Sequence, residues 1–461
     1  MQDPERIRRE VEGAELGDKR LNSRLEGLAV QLAGSPEASL PQALGDDAKL
    51  EAAYRFFGND RVTPEGILAP HYGETIQRVR ARRACVVAHD TTEFHFKGER
   101  EGLGRLRDKA RGFLSHVALA VSFDEGREPL GVVGIESWSR PEQRRARQYP
   151  KQRRLDPDRE SQRWWRLVQQ VESRLPSETH AIHVMDREAD AYDLLGHLVQ
   201  EGHGFVVRMC KDRRIEPDED GAETLLAANT GQHVATRTVP LSPRRDRGRA
   251  PSTRKIHPAR EGRDAKLRMT ARAITLRRPR EMTGGSDSLT IHLVTVEETD
   301  PPADQVAVCW RLYTSEPIGT ESQVLRVVDA YRCRWQIEEY FKALKSGCAI
   351  EKRQLEHQDA LLNLLAVYIP IAWQLLALRS TARRDPNASA LGLLSELQLR
   401  ILAHVSKRGL PQNASAADAL RALAALGGHQ KQNGDPGWRT LWAGLHKLLS
   451  LQAGYRLAKE M

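Results

Sequence analysis

Residues 180–210 read HAIHVMDREADAYDLLGHLVQEGHGFVVRMC, and this stretch decides the fold class. His180 to Asp186 is an apolar run of strand length that ends in an acid, and Gly204 to Cys210 is a second such run. Residues 189–200 between them have the pattern of a helix. A strand, a helix and a second strand in this order indicate an α/β fold.

The same pattern extends toward the N-terminus. Cys85 to Asp90 is another short apolar run that ends in an acid, and alternating phenylalanines follow it. Further strands are predicted at 113–123 and 130–137, and a helix at 164–175. The order predicts a mixed α/β sheet in which Asp90 and Asp186 both stand at strand ends.

Helical segments flank this sheet. The first helix is predicted from four leucines at helical spacing and ends at Ser35-Pro36, and a second covers 46–57. The tail from residue 380 is rich in alanine and leucine, and Trp438 and Trp442 begin an apolar stripe on its last helix. That stripe either packs on its own domain or mediates self-association. Three domains are therefore predicted, at 1–70, 71–379 and 380–461.

The composition is basic, with a net charge of +9 over 461 residues, which suggests a polyanionic partner. Residues 237–280 hold fifteen Arg or Lys against three acids. A run of this kind is usually a solvated face, but strand-like flanks at 267–276 and 289–296 indicate a basic, β-rich insertion at 212–312.

The cysteines and the hydropathy of the chain indicate the cellular compartment and argue against a zinc-binding, disulfide-linked or membrane-spanning protein. The five cysteines form no CxxC pair, which argues against structural zinc and disulfides and fits a reducing cytoplasm. Residues 360–378 carry no charge, but Asn363, Pro370 and Gln374 favour a buried helix over a membrane span. We expect a cytoplasmic protein with no membrane partner.

Carboxylates that converge from separate strands point to metal-dependent phosphoryl transfer. Cutting a phosphodiester by a two-metal route needs several acids around two divalent ions. Mg²⁺ prefers such oxygen ligands. Asp90 and Asp186 are candidates, although a single acid at a strand end is more often a turn or helix cap.

A third acid lies in the helix predicted at 321–346. Projected at about 100° per residue, Tyr331, Arg334, Glu338 and Lys345 fall within an arc of about 60°. Ordinary pairing of charges on a solvated helix is the simpler explanation of this face. If this helix face is instead a functional site, it provides Glu338 as a metal ligand and Arg334 and Lys345 as phosphate-binding side chains.

These residues resemble the cut-and-paste DDE transposases of the insertion-sequence-four family. The family's Y-x2-R-x3-E-x6-K signature is matched at residues 331–345, and Asp90-Thr-Thr and Asp186-Arg-Glu-Ala-Asp190 resemble its two other acidic blocks. Further similar blocks lie at 16–25, 54–56 and 108–112. The resemblance extends from about residue 15 to the tail.

The resemblance implies a ribonuclease-H-like core with a β-rich insertion, flanked by N- and C-terminal helical domains. It implies that Asp90, Asp186 and Glu338 are catalytic and bind two Mg²⁺ ions, for which Mn²⁺ substitutes. The activity implied is cleavage of double-stranded transposon ends through a hairpin, followed by joining to target DNA, by a homodimer. The resemblance also implies a bacterial, nucleoid-associated protein with no small-molecule substrate.

The resemblance also implies DNA-contacting side chains. Trp310 matches the tryptophan that supports a base flipped out at the hairpin. The other implied DNA contacts are Tyr331, Arg334, Lys342, Lys345, Arg208, Arg20 and Arg24. Leu21 and the stretch after Lys345 depart from the family pattern, which affects the recognised end sequence and not the acids. His89 has no role in this interpretation.

Two other functions stay open. A catalytically silent copy could bind DNA and inhibit transposition, and a structure-selective nuclease could use the same fold.

Overall fold

The computed structural model describes residues 4–460, apart from 108–109, 125, 142–158, 218–220, 229–230, 242, 244–258, 304, 407–408 and 431–435. The chain divides into two compact units. The first unit comprises Met1–Gln148, Arg166–Thr179 and Trp335–Met461; the second comprises Tyr149–Trp165 and His180–Arg334. The predicted domain boundaries at 70 and 379 stay predictions.

The first unit begins with helices. Their bounds are α1 Pro4–Arg9, α2 Lys19–Gly34, α3 Leu40–Leu44, α4 Asp47–Phe57 and α5 Pro64–Arg80. Helix α2 starts at Asp18, whose side chain caps the helix by accepting from the Arg20 amide, and it ends at Ser35. Leu25, Leu28 and Leu32 are buried, so the predicted helix and its apolar stripe are confirmed.

Four antiparallel strands follow: β1 Ala84–Phe96, β2 Gly104–Arg105, β3 Arg111–Ser122 and β4 Pro129–Trp138. Strand β3 pairs with each of the other three. The prediction that Asp90 ends a strand is wrong, because Asp90 lies in the middle of β1, opposite Val117. The strand continues because Phe94 and Phe96 return to the buried face.

The second unit holds the remaining strands: β5 His180–Met185, β6 Gly204–Arg208, β7 Gln232–Leu241, β8 Arg263–Arg277, β9 Ser288–Glu298 and β10 Cys309–Thr314. Their order is β5-β6-β10-β9-β8-β7. Strands β5 and β6 are parallel, and the other pairs are antiparallel. The predicted mixed α/β class is confirmed, and the described part of the insertion is rich in strand.

Helix α6 covers Arg163–Arg174, most of which belongs to the first unit. The second unit also holds α7 Tyr192–Gln200 and α8 Glu321–Cys333. Arg237 on β7 donates to both carboxylate oxygens of Asp329 on α8, at 2.8 and 3.1 Å. The basic insertion is therefore tied to the helix that carries Tyr331. The basic stretch 237–280 is otherwise only partly described, since 244–258 lie outside the described residues.

The first unit closes with helical segments. They are α9 Trp335–Lys342, a π-helical turn Ala343–Gly347, α10 Gln358–Arg384, α11 Glu396–Val405, α12 Ala416–Leu426 and α13 Trp438–Glu460. Helix α10 is long and apolar enough to cross a membrane, but 89% of its apolar window is buried inside the protein. It is the buried helix that the sequence predicted.

The single helix predicted at 321–346 is divided in the structure. Arg334 is a turn residue between α8 and α9, and the π-helical turn replaces α-helix from Ala343 onward. A π-helix bonds each residue to the fifth one along, so its turn is wider. The angular position projected for Lys345 on a uniform α-helix is therefore wrong.

Candidate active site

Asp90 is half-buried in β1, and its Oδ1 accepts from the Thr91 amide at 2.8 Å. The preceding residue, His89, is fully buried and its ring stacks on His116 of β3, with centroids 5.7 Å apart. His116 Nδ1 in turn lies 2.9 Å from the Thr91 hydroxyl. The two buried histidine rings thus stack on each other across β1 and β3, next to Asp90.

Glu338 is half-buried on α9, and this helix contacts β1. Two hydrogen bonds fix how the chain after Glu338 runs along β1. Lys345 Nζ donates to the Glu93 carbonyl at 2.6 Å, and the His95 amide donates to Glu351 Oε1 at 2.9 Å. The segment after α9 therefore contacts β1 at Glu93 through Lys345 and at His95 through Glu351.

Asp90 and Glu338 lie on two elements that contact each other, β1 and α9. Asp90 precedes Glu93 by three residues of strand, and Glu338 precedes Lys345 by seven residues, of which the last three lie in the π-helical turn.

The lysines of this segment already have partners. Besides Glu93, Lys345 lies 4.0 Å from the Glu351 carboxylate and 5.4 Å from the centre of the Phe94 ring. Burial lowers the pKa of Lys345, against the attraction of Glu351 and Glu93. Lys342 pairs with Glu339 at 2.6 Å and lies over the ring of Trp335, which is 57% exposed. Phosphate contacts by these lysines stay predictions.

Asp186 directly follows β5, as predicted. It is half-buried and caps the short 3-10 turn Arg187–Ala189, with its Oδ1 accepting from the Glu188 amide at 2.8 Å. Strands β5 and β6 are parallel and Met185 pairs with Val207, so their carboxyl ends bring Asp186 and Arg208 to the same sheet edge. Arg208 donates to the Cys309 carbonyl at 3.3 Å.

Trp310 and Tyr331 meet in the second unit. Trp310 is half-buried on β10 and Tyr331 is buried on α8; their ring centroids are 5.6 Å apart with the planes at 60°. Arg334, the residue between α8 and α9, is half-buried. The sequence predicted Tyr331 as a surface contact on a helix face, whereas the structure packs its ring inside against the tryptophan.

A cationic groove lies on the outward side of α2. Lys19, Arg20, Ser23 and Arg24 line it, and both arginines are exposed. Lys19 was not predicted as a DNA contact from the sequence. Its position in the first turn of α2, next to Arg20, could have indicated one.

The acids suit a hard divalent ion, since each side chain is a carboxylate. Asp90 and Glu338 lie in the first unit and Asp186 lies in the second. Within the described ranges, no three His, Cys, Asp or Glu side chains form a preassembled metal-binding group.

Comparison with known proteins agrees with this chemistry. Residues 5–62 match the family model described as transposase DNA-binding, and residues 158–369 match the one described as transposase DDE domain. The chain therefore contains a DNA-binding domain and a DDE domain of the transposase type, and DNA transposition is the activity that these domains support.

The DDE match includes Asp186 and Glu338, whereas Asp90 precedes it. Among solved structures, the chain is similar to a piggyBac transposase synaptic complex with hairpin DNA, at 11% identity and a TM-score of 0.36. The similarity covers 95% of this chain and 73% of that one. These values describe a distant likeness.

Proposed function

We propose that this chain is an active DNA transposase of the insertion-sequence-four type, working in the bacterial cytoplasm as a homodimer on paired transposon ends. The observation that carries the proposal is the DDE-domain match over residues 158–369, which contains both Asp186 and Glu338. The contacts that α9 and the segment after it make with β1, the strand of Asp90, support Asp90 as the third acid.

In this proposal Asp90, Asp186 and Glu338 would hold two Mg²⁺ ions, or Mn²⁺ in their place. When bound, such ions would activate the attacking oxygen and neutralise the leaving oxygen. Each reaction step is an in-line displacement at phosphorus, so one set of carboxylates can serve nicking, hairpin formation, hairpin opening and strand joining.

The remaining site residues bind DNA. Arg334 offers a planar guanidinium for two phosphate oxygens, and Lys345 offers a point charge. Trp310 supports the base that a tight hairpin forces out of its stack. Arg208, at the same sheet edge as Asp186, holds the strand near the hairpin.

End recognition falls to α2. Lys19, Arg20 and Arg24 share one groove on an exposed helix face, and residues 5–62 match a transposase DNA-binding domain. Cationic side chains at such a surface bind phosphates and release counterions.

The test incubates the full chain with candidate element-end DNA and Mg²⁺ and separates the products on denaturing gels. The wild type should give nicked DNA, then hairpins. Asp90→Asn, Asp186→Asn and Glu338→Gln should bind the same DNA and give no nick. Glu396→Gln, an exposed acid on α11, is the matched control and should cut normally.

The alternatives give different products. Wild-type protein that binds ends and never cuts would be a regulator of transposition. Cleavage of branched or hairpin DNA without hairpin formation at ends would indicate a structure-selective nuclease. Any acid variant that still nicks removes that residue from the metal site.

A further inference from the structure

Asp190 lies four residues after Asp186, and its carboxylate is fully buried. Its Oδ2 accepts from the backbone amides of Cys210 at 2.6 Å and Lys211 at 2.7 Å. Its Oδ1 accepts from Arg213 Nε at 2.8 Å, and Arg213, itself buried, also donates to the Asp190 carbonyl at 2.8 Å. One side chain thus binds three residues of the segment that follows β6.

The exposed and the buried ends of the turn from Asp186 to Asp190 are held by different contacts. At the exposed end, Glu188 pairs with Arg163 at 2.9 Å, and its amide donates to Asp186 Oδ1. The backbone bonds of the turn are Ala189 N to Asp186 O at 3.2 Å and Asp190 N to Arg187 O at 3.3 Å. The Asp190 carboxylate fixes the buried end of the turn to the segment after β6.

We infer that Asp190 is a positioning residue for Asp186. Its four hydrogen bonds anchor the turn that presents Asp186 to the segment after Arg208, so one buried carboxylate sets the separation of a metal ligand and a DNA-contacting arginine. The inference rests on the proposed function, because it takes Asp186 to be a metal ligand. Groups that orient metal ligands typically contribute 10-fold to 100-fold to metal affinity.

The conservative change Asp190→Asn isolates this role. An asparagine has nearly the same shape but only one acceptor oxygen, and its amide nitrogen would face an N–H donor of Lys211, Cys210 or Arg213. The turn should then lose its anchor, and the Asp186 carboxylate should sample several orientations.

A matched control exists in the same unit. Glu298 is also a buried carboxylate that accepts from an arginine fork, Arg263 at 2.8 and 2.9 Å, and from a backbone amide, Val308 at 3.0 Å. It lies at the end of β9, away from Asp186 in sequence and sheet order. Glu298→Gln should therefore cost comparable stability without affecting the metal ligand.

The experiment titrates the full chain with Mn²⁺ alone and measures free Mn²⁺ by electron paramagnetic resonance, with thermal denaturation of each variant recorded in parallel. Asp190→Asn should raise the half-saturating Mn²⁺ concentration about 10-fold, in the direction of Asp186→Ala. Glu298→Gln should leave it within twofold of the wild type. Equal Mn²⁺ binding by Asp190→Asn and the wild type, or equal weakening in Glu298→Gln, would overturn the inference.

Two further variants, Arg213→Lys and Asp186→Ala, complete the experiment. Arg213→Lys retains Asp190 and a positive charge but loses the guanidinium fork, and it replaces Asp190→Asn if that variant does not fold. It should raise the half-saturating Mn²⁺ concentration by a smaller factor. An unchanged concentration would again count against the inference. If the wild type and Asp186→Ala bind Mn²⁺ identically, the proposed metal role of Asp186 fails, and the inference about Asp190 fails with it.

Discussion

The indole of Trp310 and the phenol of Tyr331 lie 5.6 Å apart between ring centroids, in a tilted arrangement that joins β10 to α8. Aromatic pairs at this separation contribute about 0.5–1.5 kcal/mol beyond their burial. The pair therefore fixes the position of the indole, which the proposed stacking of a flipped-out base on Trp310 would require.

Trp310→Ala should impair hairpin formation more than first-strand nicking. Stacking of a base on an aromatic ring contributes about 1–3 kcal/mol, so the hairpin step should slow on the order of tenfold to a hundredfold. Single-turnover assays that follow nick and hairpin separately measure this. Trp310→Phe keeps a flat ring and should recover most of the rate; equal losses at both steps in Trp310→Ala would refute the stacking role.

The sequence predicted the elements whose pattern is local. Asp186 stands where the apolar run 180–185 ends, and α2 follows its leucines. Contacts between segments that are distant in sequence could not be predicted from these local patterns. The pairing of Asp190 with Arg213 joins an acid to a base across a helix and a strand, and in sequence each looks like a surface charge.

The division of the 321–346 helix was also unpredictable, for a related reason. The π-helical turn includes Lys345, which donates to the Glu93 carbonyl in a contact between distant segments. Hydrophobic periodicity carries no information about it. Asp90 was misplaced at a strand end because an acid interrupts the apolar run, while the partner strand β3 extends well past it.

The groove on α2 predicts which changes weaken end binding. Arg20→Gln and Arg24→Gln should each lower affinity for element-end DNA and reduce the slope of log affinity against log salt by about one. Fluorescence anisotropy at several salt concentrations measures both quantities. Arg421→Gln, an arginine 63% exposed on α12, is the control. An unchanged salt slope in both α2 variants would exclude this groove from the DNA interface.

Glu339 predicts a second effect, on the C-terminal helix. Its carboxylate accepts from Lys342 at 2.6 Å, from Trp438 Nε1 at 2.8 Å and from Arg379, whose guanidinium lies 4.5 Å from the centre of the Trp438 ring. Burial alone would raise the pKa of Glu339, but these partners lower it below its ordinary value. Helix α13 is thus joined to the helix that carries Glu338.

Glu339→Gln should destabilise this junction by roughly 1.5–3 kcal/mol, the usual contribution of hydrogen bonds to a charged group. Because the pKa of Glu339 is lowered, the stabilisation should be present above its ordinary pKa and should be lost as the pH falls through the folded value. Hydrogen exchange of peptides from 438–460 should speed up in Glu339→Gln and not in Glu396→Gln. Unchanged exchange would show that the junction does not depend on this carboxylate.

A buried cluster predicts how acid affects the first unit. His71 of α5 is fully buried; its Nε2 accepts from the Val132 amide at 3.1 Å, so its Nδ1 carries the proton donated to Glu10 at 2.5 Å. Glu10 also accepts from Arg78 at 2.7 Å. Burial lowers the pKa of His71, partly opposed by Glu10; the pKa of Glu10 is also lowered, because His71 and Arg78 outweigh its burial.

The sign of the pH effect follows from these shifts. Folded His71 stays neutral below pH ~6.5, where an unfolded histidine takes up a proton, so stability should fall by up to about 1.4 kcal/mol per pH unit from 6.5 down to the folded pKa. Glu10 adds its own loss of stability only below the ordinary range of a glutamate, so the window from pH 6.5 to 5 isolates His71.

His71→Gln retains an acceptor for Val132 but cannot titrate. Hydrogen exchange of α5 peptides should therefore accelerate with acid in the wild type, after correction for the intrinsic rate, and show a flatter pH dependence in His71→Gln. Parallel profiles for the two proteins would assign the acid sensitivity to other histidines.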